Sequence, residues 1–319
     1  MALNYDYISS YTKDTYIPGF IDEVLGSNPA IFRALGKAKK KRWGKKIIIS
    51  PLLHSKSTRG GSYGKWDTLN TDFEDKVTAA EFLPKYYRWP ITISDIDALE
   101  NAGNESEIVD ILDTETKIAK ISAQDDLGAD IFEDGTTSTN DMAGYAAAID
   151  DGTVVATYGG IARGTYTWWA SQYDYNSGTD RALTIKLMQN MWGLCKGGRD
   201  STDTPTYICT TQDLWDKFAS ILDVSRRRED DYMGKAGFEN LLFNGVPVVV
   251  DSHCTAGYMY FVNERHTYMV VHPDENWKFI PFAEKVNQEV AIAKIKIACQ
   301  MVSDECRKSG VIYSLDADL

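Results

Sequence analysis

Between two stretches of strand-forming residues the chain carries a segment, 55–75, that is rich in Ser, Thr, Gly, Lys and Asp. The flank before it (45–54) holds Ile47, Ile48 and Ile49, and the flank after it (76–93) holds Phe82, Tyr86, Tyr87 and Trp89. β-Branched and aromatic flanks predict the two arms of a hairpin, with Gly60, Gly61 and Gly64 at a polar tip. Connections longer than about 12–15 residues are uncommon in compact domains and are as a rule functional or disordered. A floppy surface loop is the plainer alternative. A projection that buries little of itself is expected to be covered by something else.

Residues 1–44 are expected to behave similarly. Helix breakers at Pro18-Gly19 and Pro29 leave one short apolar patch (Ile31, Phe32, Leu35), so the segment reads as an extended arm ordered by lying on another surface. A basic run closes it: seven of the ten residues from Lys37 to Lys46 are basic (Lys37, Lys39, Lys40, Lys41, Arg42, Lys45, Lys46), against a net charge of -12 for the whole chain. The acidic bulk should repel nucleic acid, whereas the basic run could bind it, with Trp43 available for stacking. An acidic surface on a neighbouring copy is the favoured partner for that run.

A long helix is predicted next, capped by Asn104 with Glu107 three residues on, running through Ile108, Ile111, Leu112, Ile118, Ala119 and Leu127 to Ile131 and stopped by Gly135. At 1.5 Å per residue it would span about 45 Å. Its outward positions are acidic (Glu105, Glu107, Asp110, Asp113, Glu115, Asp125, Asp126), and its apolar spacing keeps no strict seven-residue repeat, which argues against a coiled coil. After a Gly-, Tyr- and Trp-rich stretch (136–177), helices and strands alternate. A helix begins at Thr179 or Asp180, a strand covers 207–209, and a helix is capped by Thr211. A hairpin turns on Asn244-Gly245, and strands cover 258–262, 267–271 and 277–282. The block 179–283 reads as a self-sufficient α/β unit. A long strand (286–301) and a short one (311–313) then return to pack with the long helix. The expected division is therefore 1–44 arm, 45–93 hairpin, 94–178 long helix and its domain, 179–283 α/β unit, and 284–319 returning strand.

Chemistry is hard to find. The four histidines (His54, His253, His266, His272) form no HExxH, and GxSxG and GxxxxGK[ST] are absent. His253-Cys254 with His266 and His272 have the softness of zinc ligands but not a zinc spacing, so satisfied strand and turn residues are the favoured reading. Gly159-Gly160 before Arg163-Gly164 imitates a phosphate cradle without its spacing. Carboxylates near aromatics could imitate a glycosidase cleft, yet no spacing identifies a pair. Five scattered cysteines argue for reduced, buried thiols, and no apolar run reaches the roughly 18 residues of a membrane span. No catalytic residue, cofactor, metal or membrane partner is expected. The N-terminus carries no basic-then-apolar export signal, which predicts a protein made and used inside a cell.

Tyr158-Gly-Gly-Ile-Ala-Arg-Gly-Thr-Tyr-Thr-Trp-Trp169 resembles the glycine, arginine and tryptophan signature that follows the spine helix in one branch of tailed-phage coat proteins. Phe243-Asn-Gly-Val-Pro-Val-Val-Val-Asp251 with 258–262 and 277–282 resembles their axial-domain sequence. The resemblance covers nearly the whole chain. It implies the α+β major capsid fold shared with the herpesvirus capsid floor: N-terminal arm, extended β-hairpin loop, long spine helix with peripheral domain, and α/β axial domain. It also implies a non-enzymatic subunit of hexamers and pentamers, in an icosahedral head enclosing double-stranded DNA and assembled in the host cytoplasm. The implied partners are other copies of the chain, a portal, a decoration protein, and packaged DNA held weakly. Because the arm starts at Met1, a separate scaffolding protein is expected in place of a cleaved segment. Candidate inter-subunit contacts are Lys39, Lys40, Lys41 and Arg42 in the basic run, Lys56, Arg59, Lys65 and Trp66 on the loop, and Arg163, Trp168 and Trp169 in the signature. Some coat proteins crosslink a loop lysine to a neighbour's asparagine; Lys56, Lys65 and Lys76 lie in the right region, but no acceptor or assisting glutamate is identified. A carbohydrate-active enzyme and a tail or adaptor module are the rival readings.

Overall fold

The computed structural model describes residues 28–43, 47–68, 71–94, 105–197, 203–222, 240–285 and 288–319. The N-terminal part supplies α1 (Pro29–Gly36), β1 (Lys39–Lys40), β2 (Ile48–Leu53), β3 (Val77–Phe82), β4 (Lys85–Ser94) and the long helix α2 (Glu105–Asp130). Short elements follow: α3 (Tyr145–Ala148), β5 (Thr157–Tyr158), β6 (Ile161–Ala162), β7 (Gln172–Asp174) and β8 (Arg181–Ala182). Next come α4 (Ile185–Lys196), β9 (Tyr207–Thr210), α5 (Gln212–Ile221), β10 (Asn240–Phe243), β11 (Val246–Val250) and β12 (Met259–Val262). The chain closes with β13 (Thr267–Val271), β14 (Lys278–Lys285), β15 (Gln288–Ser303), β16 (Gly310–Ile312) and β17 (Leu315–Asp316).

Alternation along β15 builds the first sheet. Ala291, Ala293, Ile295, Ile297, Cys299 and Met301 are all buried, two residues apart and therefore on one face. The strand pairs antiparallel with β13, with β14, and with β4 from Ser94 to Lys85, and β1 runs parallel to β13. Leu112, Thr116, Ala119, Ala123 and Leu127 of α2 recur at three- and four-residue intervals and are buried, forming the stripe that a helix lays on a sheet. Three side chains of β4 fix it there: Trp89 Nε1 donates to Asp126 (2.9 Å), Thr92 Oγ1 to Glu115 (3.1 Å), and the Tyr87 hydroxyl to Asp130. The helix has 26 residues, about 39 Å. Asn104, the expected cap, lies outside the described residues. Ile118, expected among the inward residues, is exposed beside Ile121, because the sheet takes the neighbouring stripe.

The second sheet runs β10-β11-β9-β12-β16-β7. Met188, Met191 and Cys195 of α4 and Leu214 and Phe218 of α5 bury against Ile208, Val248, Met259, Phe261 and Ile312. The β10–β11 turn is the predicted Asn244-Gly245, both at positive φ (50° and 85°), the conformation such a two-residue turn requires. Helix α4 starts later than predicted: the Thr184 hydroxyl accepts from the Leu187 N–H (3.2 Å), while Arg181 and Ala182 pair with β17.

Three expectations are corrected. The 76–93 stretch is two strands, β3 in the hairpin and β4 in the first sheet, divided at Leu83-Pro84, where proline has no N–H to continue a ladder. The 179–283 block is not one unit, since β13 and β14 belong to the first sheet, and β7 and β16 complete the second from outside that range. A turn at 263–266, in which the Asn263 carbonyl accepts from the N–H groups of His266 (3.1 Å) and Thr267 (2.8 Å), sends the chain across. The arm reading of 1–44 fails over the described part, 28–43. Ala30, Ile31 and Ala34 of α1 are buried, and buried Arg33 forks onto Glu264 at 2.8 and 2.6 Å. Glu264 also accepts from Lys37 (2.7 Å) and the Thr206 hydroxyl (2.6 Å). Residues 1–27 lie outside the described residues.

Candidate assembly surfaces

The hairpin ribbon pairs Ile48 with Phe82 at one end and Leu53 with Val77 at the other. Ile48, Ser50 and Leu52 face inward and Ile49, Pro51 and Leu53 outward, as the two-residue period dictates. Beyond Leu53 the loop is braced from within by Glu74. Its carboxylate accepts from the Ser57 hydroxyl (3.1 Å), the Thr58 N–H (3.1 Å) and the Thr58 hydroxyl, and pairs with Lys76 and with Arg59 (3.5 Å). Hydrogen bonding from Lys76, then from Thr58, pulls the Glu74 carboxyl down to about 2. Outward, the same loop leaves its aromatic groups bare: Trp66 is 88% exposed, Phe73 90% and Tyr63 75%. Lys56 is exposed, and the Lys65 ammonium lies 5.6 Å from the centre of the Trp66 ring. Sequence reasoning singled out Trp66 but missed Tyr63 and Phe73, although both stand in the same polar segment.

The basic run is committed largely to its own subunit. Lys39 Nζ stands 3.2 Å over the Tyr268 ring, Lys41 Nζ donates to the Ile49 carbonyl (2.7 Å), and Arg42 pairs with Asp274 (2.9 Å). Partial burial lowers the Lys39 ammonium below its ordinary value. Lys40 is exposed, and Trp43 packs edge-on against His272 at 4.7 Å. Lys45 and Lys46 lie outside the described residues. Where an acidic surface on a neighbouring copy was expected as partner, Lys37, Lys39, Lys41 and Arg42 make contacts within the chain.

The arginine and the second tryptophan of the glycine, arginine and tryptophan signature are internal too, although Gly164 to Thr167 between them are exposed. Arg163 is buried, donating to the carbonyls of Ala147 (2.8 Å), Ala148 (3.1 Å) and Val155 (3.2 Å) and pairing with Asp150 (3.4 Å). Asp150 in turn accepts the N–H groups of Gly152 (2.8 Å) and Val155 (3.0 Å). Trp169, also buried, donates to the Tyr158 carbonyl (2.9 Å). Trp168, by contrast, is half-buried, stacked 5.5 Å from His54 at the root of the loop. Gly159 (φ +59°) sits so close to β3 that a Cβ there would come within 2.8 Å of Phe82. That turn is a packing device and not a phosphate cradle. Arg163 and Trp169 therefore leave the set of candidate contacts, because a neighbour cannot reach them.

Among the described residues no group of three His, Cys, Asp or Glu side chains could hold a metal, and no helix is long and apolar enough to cross a membrane. The five cysteines are free and buried, and burial pushes the thiols of Cys195 and Cys299 up to about 12. An open groove of about 750 Å³ is lined by Asp180, Asp213, Asp216, Asp316 and Asp318 with Lys217, a surface that repels phosphate.

No family model and no curated protein matches the sequence. Solved structures do. The chain is similar to the cyanophage A-1(L) capsid asymmetric unit, at 18% identity over 88% of this chain and 90% of that one, with a TM-score of 0.66. It is similar to the holo-SrpI encapsulin complex from Synechococcus elongatus PCC 7942 (10% identity, 91% and 89% covered, TM-score 0.56). It is also similar to the capsid of the native GTA particle (11% identity, 88% of each chain, TM-score 0.55). Identities this low establish a shared fold: the chain has the mixed α and β fold of phage capsid proteins.

Proposed function

We propose that this chain is the major capsid protein of a tailed bacteriophage, a non-enzymatic subunit whose copies form the hexamers and pentamers of an icosahedral head around double-stranded DNA. The observation that carries the reading is the 54–76 loop. It is held in shape from inside by Glu74, yet Tyr63, Trp66 and Phe73 lie bare on its outside. Aromatic side chains bury about 150–250 Å² each, so these three supply most of the roughly 800 Å² that one side of a specific interface needs. A loop tip and the surface that receives it are different patches, and such heterologous contacts generate rings and lattices when repeated.

In this reading the second sheet with α4 and α5 meets its copies around the five-fold and six-fold positions, and the loop overlies an adjacent subunit through Trp66, Lys56 and Lys65. Lys40 and Trp168 remain candidate contacts, and the first sheet with α2 forms the peripheral unit. An overlapping N-terminal arm is confined to residues before 28. The net charge of -12 and the aspartate-lined groove suit a wall that holds packaged DNA weakly. A separate scaffolding protein, a portal and a decoration protein complete the proposed partners, with assembly in the host cytoplasm. The encapsulin likeness favours a second reading, a shell of the same fold that is not a virus head; duplex DNA protected from nuclease inside purified shells separates the two.

Deleting residues 57–66 tests the reading. The expected product is a folded subunit that forms no shells in negative-stain images, with or without a scaffold, while the unaltered chain forms them. Normal shells from the deletion variant would refute the role given to the loop.

A further inference from the structure

Where the chain crosses from the second sheet to the first, one imidazole stands between two carboxylates. His266 Nδ1 is 2.7 Å from Asp304 Oδ1, and its Nε2 is hydrogen-bonded to Asp203 Oδ2. An ionised carboxylate can only accept, so both ring nitrogens must carry hydrogen, and only the imidazolium does. The two carboxylates belong to different parts of the fold. Asp203 lies just before β9 of the second sheet and is held by Asn263 Nδ2 (2.9 Å); Asp304 follows β15 of the first, and its N–H donates to the His266 carbonyl (3.0 Å).

We propose that His266 is a protonation-dependent latch between the two sheets, closed while the imidazolium holds Asp203 and Asp304 together and released when alkaline pH removes its proton. A neutral ring has one N–H and can serve one carboxylate only. The other then faces a lone pair, and Asp203, Asp304 and Glu305 (4.0 Å from Nδ1) lose the charge that keeps them close. The remaining charges do not substitute for it. Arg265 stands 3.4 Å from Asp203 with its side chain largely in solvent. Lys308 also acts on Asp203, and Lys39 on Asp304, by charge, but neither stands between the two carboxylates as the ring does, and Glu264 is committed to Arg33 and Lys37.

The direction follows from the same contacts. Burial alone would lower the His266 value, but the hydrogen bond and charge of Asp304, then those of Asp203, outweigh it and raise it. Burial would likewise raise Asp203, yet hydrogen bonds from Asn263 and His266 hold it below the ordinary carboxylate range. A folded value above the unfolded one means that the latch contributes fully below about 6.5 and is lost as pH rises through the folded value. Release is therefore alkaline, opposite to a histidine that is buried neutral. The inference concerns the joint inside one subunit and stands whether or not copies close into a shell.

Imidazole NMR on the full chain tests it, since four histidines give four ring signals and His266→Gln assigns one by its disappearance. The His266 ring should titrate above about 6.5, and Asp203→Asn and Asp304→Asn should each shift its midpoint down. Hydrogen exchange across 203–206, 263–267 and 304–309, corrected for the base-catalysed intrinsic rate, should rise roughly tenfold or more through that midpoint, the scale of one lost charge-assisted hydrogen bond. Exchange in α4 should show no such step, and His266→Gln should exchange fast at the joint at every pH. A wild-type His266 ring titrating at or below the ordinary histidine value overturns the proposal, and so does wild-type joint exchange that stays flat through the titration, a readout that holds even where a variant fails to fold.

Discussion

Replacing Arg33 by Met removes a guanidinium whose side chain is 5% exposed and strands a Glu264 carboxylate that is 7% exposed. Losing one member of a buried pair costs about 3–5 kcal/mol, because the survivor stays charged without water. Glu264 keeps two helpers, the Thr206 hydroxyl and Lys37, but the Lys37 side chain is 48% exposed and solvent screens it. A pair so placed returns about 1 kcal/mol at most. Met fills much of the arginine stem's volume, so the packing loss is small, although the guanidinium's contact with the Tyr207 ring, 4.6 Å away, goes with it. The expected loss is about 3 kcal/mol, near the lower end of the range. Urea unfolding should show a lower midpoint at unchanged slope, and adding Glu264→Gln should recover part of the loss by removing the orphaned charge. Burial would raise the Glu264 carboxyl, but the hydrogen bond and charge of Arg33, then Lys37 and Thr206, hold it below the ordinary range. The pair's contribution is therefore present above about 4.3 and fades as pH falls through the lower folded value, so wild type and variant should converge in acid. A loss below about 1 kcal/mol at neutral pH would refute the reasoning and return 28–43 to the status of a detachable arm.

Two further outcomes follow from the loop and the signature. Arg163→Met should destabilise the subunit by about 3 kcal/mol or more in urea, since the buried Asp150 carboxylate loses its cation and the carbonyls of Ala147 and Val155 lose a donor at about 1–3 kcal/mol each, and Arg163→Lys should not rescue it because an ammonium cannot reproduce the fork; stability near wild type would mean that Arg163 acts between copies after all. Glu74→Gln should speed tryptic cleavage after Arg59 and Lys76 without changing global unfolding, and the wild-type Glu74 carboxyl should titrate by NMR near 2, so that the brace is whole above the ordinary glutamate value and is lost only as pH falls through about 2.

Local pattern reached the elements whose partners are near in sequence. The loop is bounded by β-branched flanks, the Asn244-Gly245 hairpin closes on itself, and α2 declares itself by a 3.6-residue stripe, so each was legible. What pattern could not reach was partnership at a distance. β13 follows β12 by a few residues and looks like its hairpin mate, yet its ladder is with β15, some thirty residues on (Thr267 with Ser303, Val271 with Cys299). Periodicity tells which face of a strand is buried and not which sheet buries it. The same limit explains the candidate site. Arg163 and Trp169 stood out as a polar and aromatic signature, which reads alike whether a chain packs them inward or offers them to a neighbour. Lys37 to Arg42 look like a free basic tract because Glu264, Tyr268 and Asp274 lie more than two hundred residues away.

Those distant partners change what must hold copies together. If the basic run were free, attraction between it and the acidic face of α2 would be the natural glue, long in range and weakened by salt. With Lys37, Lys39, Lys41 and Arg42 engaged inside the subunit, each contact a neighbour made with them would first have to displace one already made. The bare aromatics of the loop face little such competition: among the described residues Lys65, 5.6 Å from the Trp66 ring, is the one cation over any of them, and covering them releases water. In the proposed assembly charge is left to orient the approach of copies, through exposed groups such as Asp125 of α2 and the loop's Lys56 and Lys65. In that assembly the adhesion comes from the apolar loop, and its strength should follow the hydrophobic area covered more closely than the ionic strength around it.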